Sequence, residues 1–298
     1  MELAGRLAVV TGGGSGMGRE LVVQLAAAGC SVASCDVDRD RLDEAVRAAQ
    51  AGAPAGVRVT AHTCDVADEA QVLRFRDEVL AAHRAETVQL LFNNAGIGGG
   101  GSFVADPREE WERVFAIDWW GVYHCCRAFV PLLVASDEAY LVNTSSVNGF
   151  WAALGPGLPH TAYSTAKFAV KGFSEALITD FRMNAPHVRV AVVMPGHIGT
   201  DVVANSARIL RDARGGELSE EEARAFDAMV GTVSETFKRG APVDAARAAT
   251  IILDGVRADR WRILVGDDAH RLDELVRADP ERAYEPGGPA MPTLFQAP

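Results

Sequence analysis

The chain has 298 residues, 48% hydrophobic and 23% charged, the proportions of a globular protein large enough to bury a full core. Its formal net charge of −11 argues against nucleic acid as a partner, since phosphate binding needs a basic face. No run approaches about 18 uninterrupted apolar residues, so no membrane span is expected.

Taken in chain order, short apolar runs alternate with longer amphipathic ones. Residues 7–10 read as a strand, 17–28 as a helix, 31–35 as a second strand and 39–50 as a charged helix. Residues 57–60 lead into a third strand, 68–84 form a third helix and 88–92 a fourth strand. A long helix is expected over about 107–135, a fifth strand at 139–142, a helix over 161–184 and a sixth strand at 188–193. A last helix at about 242–256 precedes a seventh strand at 261–265, and 271–278 show a short helical pattern. Such alternation implies right-handed crossovers, hence an α/β fold: a Rossmann-type doubly wound parallel sheet of about seven strands with helices on both faces. We read 1–298 as one domain, with 197–240 inserted as a substrate-binding lid and 278–298 as an irregular tail. The start of the chain, 1–6, shows no signal-peptide pattern. Cys30, Cys35, Cys64, Cys125 and Cys126 match no zinc or disulfide spacing. Reduced thiols, no metal centre and a cytoplasmic location are expected.

Gly12, Gly13, Gly14, Ser15, Gly16, Met17 and Gly18 stand where the first strand hands over to the first helix. Glycine lets backbone N–H groups approach a pyrophosphate, and the helix N-terminus faces that anion with partial positive charge. Asp36 ends the second strand about 20 residues later, where a carboxylate accepts from ribose hydroxyls and repels a 2′-phosphate. The cofactor expected is therefore NAD. Ser15 offers no phosphate clamp. Arg39 is the competing feature, read as a surface residue of the following helix.

The spacing Gly12-x-x-x-Gly16-x-Gly18 resembles that of the short-chain dehydrogenase/reductase family, and four further stretches agree in order over about residues 3–265. Asp65-Val66 is similar to the family's adenine contact. Asn93-Asn94-Ala95-Gly96 resembles its motif after the fourth strand, with Asn93, Ala95 and Gly96 expected at the cofactor. Tyr163-Ser164-Thr165-Ala166-Lys167 resembles its catalytic Tyr-x-x-x-Lys signature, whose Tyr163 and Lys167 also meet the nicotinamide side. Pro195-Gly196, with Ile198 and Thr200 behind, is similar to its nicotinamide-side loop.

Tyr163 and Lys167 are four apart in a helical stretch and share one face. A phenol titrates near 10, and an ammonium held close favours the phenolate, so Lys167 is expected to lower Tyr163 into the working range of an acid/base. Ser145 or Ser146 could donate to a developing alkoxide; the family pattern selects Ser146. Asp118 stands where the family commonly has an asparagine that holds a water chain to the lysine. An ionised carboxylate there would offset part of the ammonium's effect on Tyr163.

The expected activity is hydride transfer between NAD and a secondary alcohol, with Tyr163 as acid/base. Segments 97–104, 147–160 and 197–238 should face the substrate. Their apolar members, among them Phe103, Phe150, Trp151, Ile198, Ile209, Leu210, Met229 and Phe237, favour a hydrophobic or aromatic alcohol/ketone. His160 and His197 read as loop residues. A homodimer through the fourth and fifth helices, with Trp119, Phe129, Phe168 and Phe173 available unless they are core residues, or a homotetramer, is expected. Two other readings are a non-catalytic NAD-sensing regulator and an extended-type epimerase/dehydratase.

Overall fold

The computed structural model describes residues 1–154, 158–214 and 219–289. The alternation appears as β1 (Leu7–Thr11), α1 (Gly16–Ala27), β2 (Ser31–Asp36), α2 (Arg39–Gly52), β3 (Val59–Thr63), α3 (Glu69–His83) and β4 (Leu90–Asn93). It continues with α4 (Arg108–Phe115), α5 (Gly121–Val134), β5 (Ala139–Thr144), α6 (Thr161–Asn184) and β6 (Val188–Pro195). Then come β7 (Ile198–Gly199), α7 (Val202–Arg214), α8 (Glu220–Gly240), β8 (Val243–Asp244), α9 (Ala245–Arg257), β9 (Arg262–Val265) and α10 (Asp267–Ala278). Seven strands make one parallel sheet in the order β3-β2-β1-β4-β5-β6-β9. The order reverses between β1 and β4. A crevice opens beyond the carboxyl ends of the strands at such a switch point.

Helices cover both faces of this sheet, which is why β1 and β5 are buried from end to end. On one face Leu21 and Leu25 of α1 pack with Ile252 and Val256 of α9. On the other, Phe75 of α3, Phe129 of α5 and Val170 and Phe181 of α6 form the larger core. Aspartates start several helices: the side chains of Asp38, Asp68 and Asp244 accept backbone N–H groups of the first turns of α2, α3 and α9.

Four expectations need correction. The helix over 107–135 is interrupted by a π-helical turn at Ala116–Trp120, which buries Ile117 and Asp118. Phe129 is not at a surface but fully buried, its ring 5.5 Å from that of Phe75. Trp119 and Phe173 pack edge-to-face at 5.5 Å, while Phe168 remains 41% exposed. The short helix near the end starts earlier than expected, at Asp267. The inserted segment forms α7 and α8, and no described helix is long and apolar enough to cross a membrane.

The tail after α10 is irregular through 289, and 290–298 lie outside the described residues. It is nevertheless packed. Trp151, expected to face substrate, is 1% exposed and donates from Nε1 to the Ala283 carbonyl at 3.0 Å. The Tyr284 hydroxyl accepts from the Ala152 N–H at 3.1 Å. Val147, Met194, Leu272 and Ala283 surround the indole. We predict that Trp151→Phe lowers stability by about 1 kcal/mol through the lost hydrogen bond. Trp151→Ala should cost about 3–5 kcal/mol. Urea unfolding measures both; unchanged midpoints would show that the tail is not packed on this loop.

Candidate active site

The phosphate loop is built by close approach. Gly12 takes φ +70°, and a Cβ there would lie 2.8 Å from the Ala95 Cα. The loops after β1 and β4 are also tied by Thr11, whose Oγ1 accepts from the backbone N–H groups of Asn94 and Ala95, both at 3.0 Å. Helix α1 then opens without a side-chain cap and without an acidic residue in its first turn. Its leading N–H groups therefore keep their capacity for an anion, and the partial positive charge there is unopposed. Ser15 is engaged elsewhere, its Oγ accepting from Asn205 Nδ2 at 3.1 Å. These features fit a dinucleotide's pyrophosphate.

A cleft runs from this loop along the strand ends. Of the residues expected at a cofactor, Gly12, Ser15, Gly16, Met17, Asp36, Asp65, Val66, Ala95, Gly96 and Thr200 line it. Asp36 is fixed by backbone donors: Oδ2 accepts from Gly14 N–H at 2.9 Å and Oδ1 from Asp38 N–H at 3.0 Å. Asp65 is paired with Arg113 at 2.7 Å. Arg39 points away and pairs with Asp43.

Other expected contacts stand behind the cleft wall. Gly18 is a packing residue, since a Cβ there would sit 2.1 Å from the Gly12 carbonyl oxygen. Asn93 is 1% exposed, and its amide donates to Asn143 Oδ1 at 2.8 Å, stitching β4 to β5. Its neighbour Asn94, just past the strand, takes the place in the wall. Pro195 is buried at the end of β6, Gly196 closes against Asp268, and Ile198 lies in the core beside α9. Reasoning from sequence also missed Arg41, Asn205 and Arg208, which line the cleft from α2 and α7.

At the inner end, Gly96 joins the cleft to the second cluster: a Cβ on it would lie 3.2 Å from Lys167 Nζ and 3.3 Å from Asp118 Oδ1. Helix α6 brings Tyr163 and Lys167 to one side, with Nζ 5.3 Å from the centre of the phenol ring. Lys167 is 3% exposed; its Nζ donates to the Thr144 carbonyl at 3.2 Å and pairs with Asp118 Oδ2 at 3.3 Å. The other Asp118 oxygen accepts from the Ile97 N–H at 2.8 Å. Ser146 stands near enough to Tyr163 to favour its ionised form and, as N-cap of a short 3-10 turn at Val147–Gly149, accepts from Asn148 N–H at 3.1 Å. Ser145 donates instead to the Lys167 carbonyl at 2.7 Å, so the two serines divide chemistry from structure. His160, the residue before α6, lies with its ring 4.7 Å from that of Tyr163; burial pushes it down to about 4, so it is neutral. His197 is 2% exposed, and its Nε2 donates to the Phe237 carbonyl at 2.8 Å, so it serves the lid and not the cleft.

The electrostatics revise one expectation. Burial pushes the Tyr163 phenol above its ordinary value, Lys167 pulls it down, Asp118 pushes it up and Ser146 pulls it down; the net direction is up. The argument from Lys167 alone left out desolvation and the carboxylate. Burial also raises the Asp118 carboxyl, against Lys167 and the Ile97 N–H. For Lys167, burial works against the charge, but Asp118 and Tyr163 outweigh it and hold the ammonium above its usual range.

Among known proteins, the family model for short chain dehydrogenases matches residues 6–209. SadH of Mycobacterium tuberculosis, named as an oxidoreductase, is 36% identical over 92% of this chain and 90% of its own. The 1-deoxy-11-beta-hydroxypentalenate dehydrogenase of Streptomyces exfoliatus is 36% identical over 68% of this chain and 71% of its own. A short chain dehydrogenase/reductase from Burkholderia phymatum, solved in complex with NAD, superposes with a TM-score of 0.81 at 30% identity, covering 97% of this chain and 99% of that one.

Removing the Asp118 charge favours the ionised phenol. In Asp118→Asn, Tyr163 should titrate lower than in the wild-type chain, because the carboxylate that opposes its ionisation is gone. The tyrosinate absorbance difference between D118N and D118N/Y163F measures it. An unmoved titration would remove Asp118 from the electrostatics of this corner.

Proposed function

The chain belongs to the short-chain dehydrogenase/reductase family, and on that premise we propose that it is an NAD-dependent oxidoreductase that interconverts a hydrophobic or aromatic secondary alcohol and its ketone. The observation that carries this reading is Gly96, which lines the cleft on one side and on the other lies against Lys167, the neighbour of Tyr163. NAD bound in that cleft would take hydride from the carbinol carbon and bring a positive charge to the inner end.

The chain's own residues supply position and proton. Ser146 holds the substrate oxygen by donating to it. Tyr163 as phenolate accepts the alcohol proton from that oxygen, and in the reverse direction returns it. Lys167 keeps its charge through Asp118 and the Thr144 carbonyl, and from there favours the phenolate. Because burial and Asp118 leave the phenol less acidic than usual, oxidation should quicken as pH rises and reduction as it falls. Asp36, with no phosphate clamp at Ser15, supports NAD over NADP.

Support for an apolar substrate narrows once burial is known. Trp151, Ile198 and Leu210 pack into the hydrophobic core. Phe103, Val104, Met229 and Val233 remain exposed on the loop after β4 and on α8. Gly155, Pro156 and Gly157 of the expected substrate loop lie outside the described residues. Two relatives are dehydrogenases named for a hydroxypentalenate and for retinol, the latter human and 32% identical, which supports an alcohol as substrate.

The test is NADH formation with aryl, terpenoid, steroid and short aliphatic alcohols. Turnover is expected with apolar secondary alcohols and should fall by about 10²–10⁴ in Tyr163→Phe. Ser146→Ala should lose about 10²–10³. Full activity in Y163F would refute the acid/base assignment. Nucleotide binding with no turnover on any alcohol would favour the sensor, and equal efficiency with NADP would refute the cofactor preference.

A further inference from the structure

The adenosine end of the cleft is not the simple negative site that Asp36 alone implies. Asp38 stands two residues beyond, and two guanidinium groups converge on it. Arg208 Nη1 lies 3.1 Å from Asp38 Oδ2, and Arg41 Nε lies 3.5 Å from the same oxygen. Arg41 Nη1 donates to Asn205 Oδ1 at 2.6 Å. All five residues line the cleft. Two carboxylates and two guanidinium groups leave its wall formally neutral there. Of the two carboxylates, Asp36 has no cationic partner among the described residues and is held by the N–H groups of Gly14 and Asp38.

This arrangement separates two opposing effects. A 2′-phosphate on the ribose would meet repulsion from Asp36 and attraction from Arg41 and Arg208. Each guanidinium has five N–H donors, and the contacts above use a minority of them. Planar guanidinium groups suit phosphate recognition better than any other side chain. Arg208 belongs to α7, the inserted helix read from sequence as a cover for the substrate, and reaches Asp38 across 170 residues of chain.

We infer that Arg208, presented by the inserted helix α7, is a specificity-determining residue for the cofactor, forming with Arg41 a latent 2′-phosphate subsite that Asp36 keeps closed. The inference rests on the dinucleotide reading given under the proposed function. Cofactor choice then depends on the position of α7 as well as on the end of β2. The discrimination against a 2′-phosphate is weaker than an isolated Asp36 would impose.

The test uses the whole chain and two fragments of the cofactor, 5′-AMP and adenosine 2′,5′-bisphosphate, with affinities from titration calorimetry. The readout is the ratio of the two affinities. Asp36→Ser should shift that ratio toward the bisphosphate by about tenfold or more, the scale of one charge-assisted hydrogen bond. Adding Arg208→Gln to D36S should return most of that shift. NADP-supported turnover should rise in D36S and fall again in the double variant. A ratio unmoved by R208Q overturns the inference while leaving the dinucleotide reading intact. So does an equal fall for both fragments, which would mark Arg208 as a prop for the helix. If the wild-type chain binds neither fragment, the dinucleotide reading fails and the inference with it.

Discussion

An ammonium group that is only 3% exposed must be met by charge and lone pairs, and the catalytic corner is arranged around that requirement. Lys167 is met from three elements. The π-turn between α4 and α5 brings Asp118, the end of β5 brings the Thr144 carbonyl, and α6 itself sets Tyr163 one turn before. Breaking a buried pair by deleting one partner leaves an uncompensated charge, so the corner is constrained as a unit. The same requirement explains why Ser145 is structural: its hydroxyl binds the Lys167 backbone carbonyl and holds α6 against the strand that delivers Ser146.

Asp118 makes this corner unusual in its balance. A neutral amide there would leave the ammonium's pull on the phenol undiluted. The carboxylate steadies Lys167 and opposes ionisation of Tyr163 at the same time. Stability of the lysine is bought with acidity of the tyrosine.

The strand–helix alternation was legible because each element is long enough to show its own period, and α6 begins and ends where its pattern does. The glycine loop and the Tyr163–Lys167 pair were legible because they are local in sequence. What escaped depends on partners far along the chain. Asn93 and Asn94 are adjacent and chemically identical; only the end of β4 between them decides which enters the sheet and which faces the cleft. Trp151 is a plausible substrate residue until Ala283 is folded over it, 132 residues away. Arg41 and Arg208 look like helix-surface charges until α7 lies beside α2. The π-turn at 116–120 has no local signature in a run that reads as continuous helix.

The bond from Asn205 to Ser15 joins parts of the chain 190 residues apart. It ties the inserted helix to the phosphate loop, and both residues line the cleft. With the Arg208–Asp38 pair it gives α7 two polar ties to the residues on the other side of the cleft. A nucleotide lodged there would touch both sides at once, so its binding and the seating of α7 would be linked, each strengthening the other.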